Sequence, residues 1–151
     1  MKYRIAIVTA CLLLTARAAT AQRSHIGVHA GYNFDIDHAL VGAQMLLPLS
    51  RHVELYPSLD YYLVDSGTLF GLSGDLKFRF PAGGPSEVYL GGGVNYQHAS
   101  AGSASGSDTG IDFFGGLESR IGATHPYFEG RVLSHNGSSF QIAVGLNVTL
   151  F

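Results

Sequence analysis

The sequence predicts an all-β protein, an eight-stranded, antiparallel, up-and-down transmembrane β-barrel. Residues 138–151 alternate apolar and polar side chains almost without interruption, and seven earlier runs repeat that pattern. The composition includes 20 glycines and only 13% charged residues. Successive side chains of a strand point to opposite faces, so an alternating run has one apolar and one polar face. Glycine is costly inside helices but useful at turns and barrel bends.

The amino end predicts an export signal over residues 1–21. Lys2 and Arg4 precede an apolar stretch over residues 5–14, and small residues ending at Ala21 suit cleavage before Gln22. The stretch is shorter than the roughly 20 residues of a membrane-spanning helix. A buried helix is the alternative interpretation. The single cysteine, Cys11, lies within the stretch, so residues 22–151 form one domain that cannot contain a disulfide.

The charge balance argues against nucleic acid as a partner. The predicted signal contains three of the nine basic residues, Lys2, Arg4 and Arg17, whereas all eleven acidic residues follow it, which leaves residues 22–151 with a formal charge of −5. A domain that binds nucleic acid is usually basic.

Seven polar or glycine-rich segments separate the eight runs. Each run with its connection takes about 16 residues, which leaves room for the 9–11 residues of a tilted strand that crosses a bilayer. The predicted connections are residues 35–38, 50–51, 64–67, 81–85, 98–108, 122–124 and 134–137.

The first four runs place apolar side chains at alternating positions. Their charged residues all fall on the opposite parity, so each run predicts a strand with one oily face. In chain order these apolar positions are Ile26, Val28, Ala30, Tyr32 and Phe34; Val41, Ala43, Met45, Leu47 and Leu49; Val53, Leu55, Pro57, Leu59, Tyr61 and Leu63; and Phe70, Leu72, Leu76, Phe78 and Phe80.

The last four runs repeat the pattern, and the seventh run is the least regular. Their apolar positions are Val88, Leu90, Val94 and Tyr96; Ile111, Phe113, Leu117 and Ile121; Phe128 and Val132; and Phe140, Ile142, Val144, Leu146, Val148 and Leu150.

Alternation alone also fits a secreted, soluble, lipocalin-like barrel that binds a small apolar ligand. In such a barrel Phe140, Val144 and Leu146 would line an internal pocket. The aromatic residues favour the membrane barrel, because they sort to the two rims where a bilayer has its interfaces. If the chain starts at the near, periplasmic end, the far rim contains Tyr32, Phe34, Tyr61, Tyr62, Phe70, Tyr96, Phe113 and Phe140, and the near rim contains Phe78, Phe80, Tyr89, Tyr127, Phe128 and Phe151.

With these features the chain resembles the small eight-stranded outer-membrane β-barrel family, of the OmpA and OmpX types and often described as porin-like. The resemblance covers residues 22–151 and includes the terminal Phe151, although Leu150 continues the apolar parity and Phe151 lies one step outside it. It implies a location in the bacterial outer membrane and contact with outer-membrane lipid. It also implies recognition by the barrel assembly machinery through the C-terminal strand and Phe151.

The polar parity predicts a network of charges inside the barrel. An eight-stranded barrel is barely wide enough for its own side chains, so a salt-bridged plug is expected, and a narrow channel is the alternative. Glu87 shares this parity. The predicted lumen residues are Glu54, Asp60, Asp75, Lys77, Arg79, Asp112, Glu118, Arg120, Glu129 and Arg131.

No enzymatic activity, cofactor or metal is predicted. Ser134, His135 and Asn136 resemble catalytic residue types, but they fall where a turn is expected, and adjacent strand residues point to opposite faces. Interior histidines that hydrogen-bond to neighbours are expected at His25, His29 and His52, since their spacing matches no known metal site. The segment 98–108, HASAGSASGSD, is expected to be a flexible, solvated loop.

Overall fold

The computed structural model describes residues 23–150, so the predicted signal segment and Phe151 lie outside it. The described chain forms eight strands, which confirms the predicted number. They are β1 (His25–Asn33), β2 (His38–Pro48), β3 (Val53–Tyr62), β4 (Thr68–Gly83), β5 (Ser86–Ala101), β6 (Ala104–Ser119), β7 (Thr124–Ser134) and β8 (Ser138–Thr149).

The strands form a closed barrel in which sequential neighbours pair antiparallel. β1 closes it, because His25 pairs with Leu46 of β2 on one side and with Thr149 of β8 on the other. The antiparallel up-and-down barrel predicted from the sequence is therefore confirmed. Closure removes the free edges that an open sheet would expose. Among the residues that the structure describes, no helix is long and apolar enough to cross a membrane.

One predicted connection differs markedly from the structure. β5 and β6 continue through most of residues 98–108, and Ala101 pairs with Ala104 around a two-residue turn. Gly102 has a φ of 61°, a left-handed conformation that glycine adopts without strain. β6 pairs with β7 only from Ile111 onward, so the β5–β6 hairpin projects beyond its neighbour. The expectation of a flexible loop is wrong, because backbone pairing orders even this run of small residues.

The apolar parity faces away from the barrel axis. Phe140, Val144 and Leu146 are 44%, 57% and 46% exposed, and most apolar positions of the other strands are exposed as well. A soluble carrier with these residues inside is therefore excluded. So extensive an apolar exterior is typical of a surface that contacts lipid or another protein.

Three of the predicted rim aromatics lie inside the barrel instead. Tyr62, Tyr89 and Tyr127 are at most 7% exposed, because they share the parity of the charged residues. Their placement at the rims was wrong, since sorting by height along the strands ignored the direction in which each side chain points. The outward Phe78 and Phe80 remain exposed at the near end.

Candidate functional site

The interior of the barrel is the candidate site, because it contains most of the charged side chains of the described chain. We define the near end by the connections 49–52, 84–85 and 120–123, and the far end by the other four connections. All ten predicted lumen residues lie inside. Nine are buried, and the side chain of Arg120 is 25% exposed at the near mouth.

Two arginines and two glutamates form a cluster at the near end. Arg79 Nε lies 3.3 Å from Glu54 Oε1, and Arg79 Nη1 lies 3.3 Å from Glu87 Oε2. Arg120 Nε lies 2.8 Å from Glu87 Oε2, and its Nη2 lies 3.5 Å from Glu54 Oε1. Arg79 also donates to the backbone carbonyl of Arg51 at 2.9 Å, which ties the cluster to the β2–β3 turn. Glu87 thus belongs to the network.

Lys77 connects this cluster to the middle of the barrel. Its Nζ donates to Glu118 Oε2 at 2.5 Å and lies 3.9 Å from the ring centroid of Tyr89. The other carboxylate oxygen of Glu118 lies 3.4 Å from His125 Nδ1. A buried ammonium is tolerated only when such partners replace its water.

A cluster of large side chains fills the centre of the lumen. The rings of Tyr56 and Phe114 meet edge to face at 5.3 Å, and those of Tyr89 and Phe114 at 6.2 Å. We call this group the central aromatic layer. Its members are Leu46, Tyr56, Tyr89, Phe114 and Tyr127. Because these buried residues come from five strands, β2, β3, β5, β6 and β7, they fill the interior where a channel would have to pass.

Arg131 gathers three carboxylates on one guanidinium. Its Nη1 lies 2.6 Å from Asp112 Oδ2 and 2.9 Å from Asp75 Oδ2, and its Nη2 lies 3.1 Å from Glu129 Oε1. The guanidinium carbon also lies 4.5 Å from the ring centroid of Phe114. Arg131 therefore links β4, β6 and β7 through charge-assisted hydrogen bonds and packs on the central aromatic layer.

A second polar chain crosses the lumen from His29. The two ring nitrogens of His29 lie 2.7 Å from Asp60 Oδ1 and 2.7 Å from Gln44 Oε1. Gln44 in turn donates to Tyr127 Oη and to Asn147 Oδ1, both at 2.8 Å. Asp60 receives a further hydrogen bond from Gln141 at 3.3 Å. These bonds join β1, β2, β3, β7 and β8 across the interior.

The sequence prediction missed several of these residues. Gln44 was placed on the polar parity but not in the charge network, and Phe114 was not identified, although it shares the parity of Asp112 and Glu118. Two of the histidine expectations also need correction. His52 is exposed in the β2–β3 turn. His25 lies in the interior as expected, but its Nδ1 has no hydrogen-bond partner within residues 23–150, and its ring packs against His125 with ring centroids 4.9 Å apart. Within residues 23–150, no group of three or more histidine, cysteine, aspartate or glutamate side chains is arranged to hold a metal ion.

Ser134, His135 and Asn136 do not assemble into a catalytic triad in this geometry. His135 Nε2 pairs with Asn95 Oδ1 at 2.9 Å, and Asn136 donates to Asp108 at 2.8 Å. Ser134 is the last residue of β7 and pairs with Ser138. The partners of His135 and Asn136 thus lie on other strands, and these contacts fix the β7–β8 turn against its neighbours.

Comparison with known proteins supports the fold. No family model and no curated protein sequence matches the chain. The structure is similar to the N-terminal β-barrel domain of OprF from Pseudomonas aeruginosa, with 18% identity, a TM-score of 0.69, and 85% of this chain and 98% of that chain covered. It is also similar to Neisserial surface protein A, with 10% identity, a TM-score of 0.64 and coverages of 84% and 97%. The outer membrane enzyme PagL matches with 9% identity, a TM-score of 0.59 and coverages of 83% and 99%. The chain therefore has the fold of the small eight-stranded outer-membrane barrels.

Proposed function

We propose that the chain is a non-enzymatic protein of the bacterial outer membrane, with a structural or surface role and a lumen closed to ions. The observation that carries the proposal is the combination of an apolar exterior with an obstructed, ion-paired interior. The fold by itself does not decide between roles, because similar barrels include both a surface protein and an enzyme.

The exterior supports a location in a lipid bilayer. Outward residues such as Val28, Val94 and Phe113 are more than half exposed, and exposure of so many apolar side chains to water would be costly. A bilayer removes that cost, and closure of the barrel satisfies the backbone groups that hydrocarbon cannot. Outer-membrane lipid is therefore the proposed partner of this surface. Recognition of the C-terminal strand and Phe151 by the barrel assembly machinery remains a prediction.

The interior supports a closed lumen. The central aromatic layer lies between the near-end cluster and the carboxylates around Arg131, and those charges pair with one another. The void beside His29 and Glu129 measures only about 10 Å³. That volume is close to the space of a single water molecule, so this void is too small for a hydrated ion.

The absence of an assembled triad at Ser134 supports the non-enzymatic part of the proposal. A nucleophilic serine needs a base within hydrogen-bonding reach and a third group that orients the base. His135 instead pairs with Asn95, and Ser134 lies at the β7–β8 turn.

Electrical recording in planar bilayers tests the closed lumen. Purified protein at neutral pH is expected to give no steady conductance, because the central aromatic layer and the ion pairs fill the lumen. A variant with Tyr56, Tyr89 and Phe114 all changed to alanine serves as the control, since it removes the rings but none of the charges. Different migration of unboiled and boiled samples on gels verifies that both proteins are folded. Reproducible open channels in the unmodified protein would contradict the proposal.

A further inference from the structure

A polar cavity of about 440 Å³ opens at the near end of the barrel. The charged and histidine side chains that line it are those of Arg23, Arg79, Arg120, His25, His125 and Glu54. These residues come from the segment before β1, from β1, β3, β4 and β7, and from the connection after β6, so polar groups face the cavity from most of its circumference.

The cavity is a cup with one entrance. Ion pairs form its floor, and Tyr89 and Lys77 lie deeper in the barrel than this floor. Tyr89 belongs to the central aromatic layer, and Lys77 contacts the ring of Tyr89. A void of only about 10 Å³ lies against Tyr56 and Tyr127 of that layer. A molecule in the cup would therefore enter and leave through the near end.

Two of the residues that line this cup each have a buried polar atom without a hydrogen-bond partner. His25 Nδ1 and Glu54 Oε2 have no hydrogen-bond partner among residues 23–150, although the two residues are only 5% and 0% exposed. Both line the cavity. Since nearly all buried polar atoms in folded proteins have a partner, these two atoms point to a molecule that occupies the cup.

The charge of the lining favours an anion. Arg79 and Arg120 are paired with Glu54 and Glu87, and Arg23 adds one further positive charge, so the lining with its ion-pair partners is positive even when both imidazoles are neutral. Arg23 is exposed at the mouth and has no ion-pair partner within the described chain. Arginine suits oxyanions because its planar fork donates several hydrogen bonds to their oxygens.

We propose that the near-end cup binds a phosphate group that carries at least one hydroxyl. Arg23, Arg120 and His25 provide donors for the phosphate oxygens, and the unpartnered Glu54 Oε2 accepts a hydrogen bond from the hydroxyl. A simple carboxylate has no hydroxyl to donate to Glu54. Two sources have this chemistry: inorganic hydrogen phosphate, and the glycerol phosphate headgroup of an acidic lipid at the near-end interface.

A titration followed by nuclear magnetic resonance tests the proposal. The folded protein in phosphate-free maltoside micelles is titrated with inorganic phosphate at constant ionic strength, and the ring resonances of His25 and His125 are recorded. A saturable shift is expected. Arg23→Gln and Arg120→Gln should each weaken binding about tenfold, the loss for one charge-assisted hydrogen bond. Arg51→Gln removes the same charge from the near end without touching the cup, so its affinity should stay within about twofold.

Sulfate and two lipids separate the possible explanations. Sulfate has the size of phosphate but no hydroxyl at neutral pH, so it should bind about tenfold more weakly. Competition by phosphatidylglycerol nanodiscs, but not by phosphatidylcholine nanodiscs, would identify the lipid headgroup as the source. Equal binding of inorganic phosphate in both nanodiscs would identify free phosphate.

Three outcomes would overturn the proposal. They are the absence of a saturable shift in every medium, equal binding of sulfate and phosphate, and an Arg51→Gln variant as impaired as Arg120→Gln. Arg23→Gln keeps the test decisive if Arg120→Gln does not fold, because Arg23 has no ion pair within the described residues. The proposal of a closed lumen does not depend on this result, since the cup lies on one side of the central aromatic layer.

Discussion

At the scale of single residues, Arg131 is the most connected charge in the barrel. It is 3% exposed and lies within 3.1 Å of carboxylate oxygens of Asp75, Asp112 and Glu129. The carboxylates of Asp75 and Asp112 both contact Nη1 of Arg131, so the positive charge of this guanidinium offsets their mutual repulsion. Removal of one partner from a buried ionic group leaves charges that neither water nor protein compensates.

Arg131→Met is therefore expected to destabilise the barrel by about 3–5 kcal/mol. Methionine retains much of the volume, so the loss reports the charge and its hydrogen bonds. The free energy of unfolding is measured from urea titrations in lipid vesicles, with folding followed by unboiled gel migration. Arg51→Met, at an exposed turn position, is the control and should change stability by less than about 0.5 kcal/mol. A loss of the same small size in Arg131→Met would show that the carboxylates find other partners.

At the scale of strands, β5 depends on glycine where large side chains cross the lumen. Gly91 pairs with Phe114 of β6, whose ring lies over the glycine. A Cβ at Gly91 would overlap that ring and would also lie 2.5 Å from the backbone oxygen of Leu76. Gly91 thus leaves space for one member of the central aromatic layer, as glycine does where a large neighbour approaches a strand closely.

Gly91→Ala is expected to lower the free energy of unfolding by about 1–3 kcal/mol, the usual cost of overpacking. Gly74→Ala on neighbouring β4 is the matched control, because a Cβ there meets no atom within 4 Å. That control should be neutral or slightly stabilising, since alanine restricts the unfolded chain more than glycine does. Both variants are compared by urea unfolding in the same vesicles. Equal stabilities would mean that the Phe114 ring can move aside without cost.

At the scale of the whole molecule, the usual distribution of side chains is inverted. Charged and amide side chains fill the interior, whereas valine, leucine and phenylalanine cover the exterior. Such a barrel is stable only if the surrounding medium accepts its apolar surface, as a bilayer does. The β5–β6 hairpin continues past the end of its pairing with β7 with alanine, serine and glycine in place of large apolar residues, which suits contact with water.

Nitroxide labels can map this inversion, because residues 22–151 contain no cysteine. Labels at Leu90 and Val144, 58% and 57% exposed, are expected to collide readily with oxygen and poorly with a water-soluble nickel complex. A label at Ala104, in the projecting hairpin, should show the opposite preference. Collision rates from electron paramagnetic resonance in lipid vesicles supply the measurement. Access of the nickel complex to Leu90 would refute the lipid-facing assignment.

Much of the fold could be predicted because successive side chains of a strand point to opposite faces, so the sequence shows which residues share a face. That rule places Glu54 and Lys77 on the charged face and Leu90 on the apolar face without knowledge of any partner. The same rule, applied to Tyr89 and Tyr127, would have placed both rings in the lumen. It could not reveal the β5–β6 hairpin, since alanine, serine and glycine have neither a strong strand pattern nor a strong turn pattern there.

By itself, the sequence determined the number of strands, their antiparallel order and which residues share the apolar or the charged face. Only the tertiary structure decided which interior groups meet: Arg131 with Asp75, 56 positions away, and His25 with His125. The physical reason is that side-chain direction follows from local backbone geometry, whereas contacts across the lumen depend on the register and tilt with which the barrel closes.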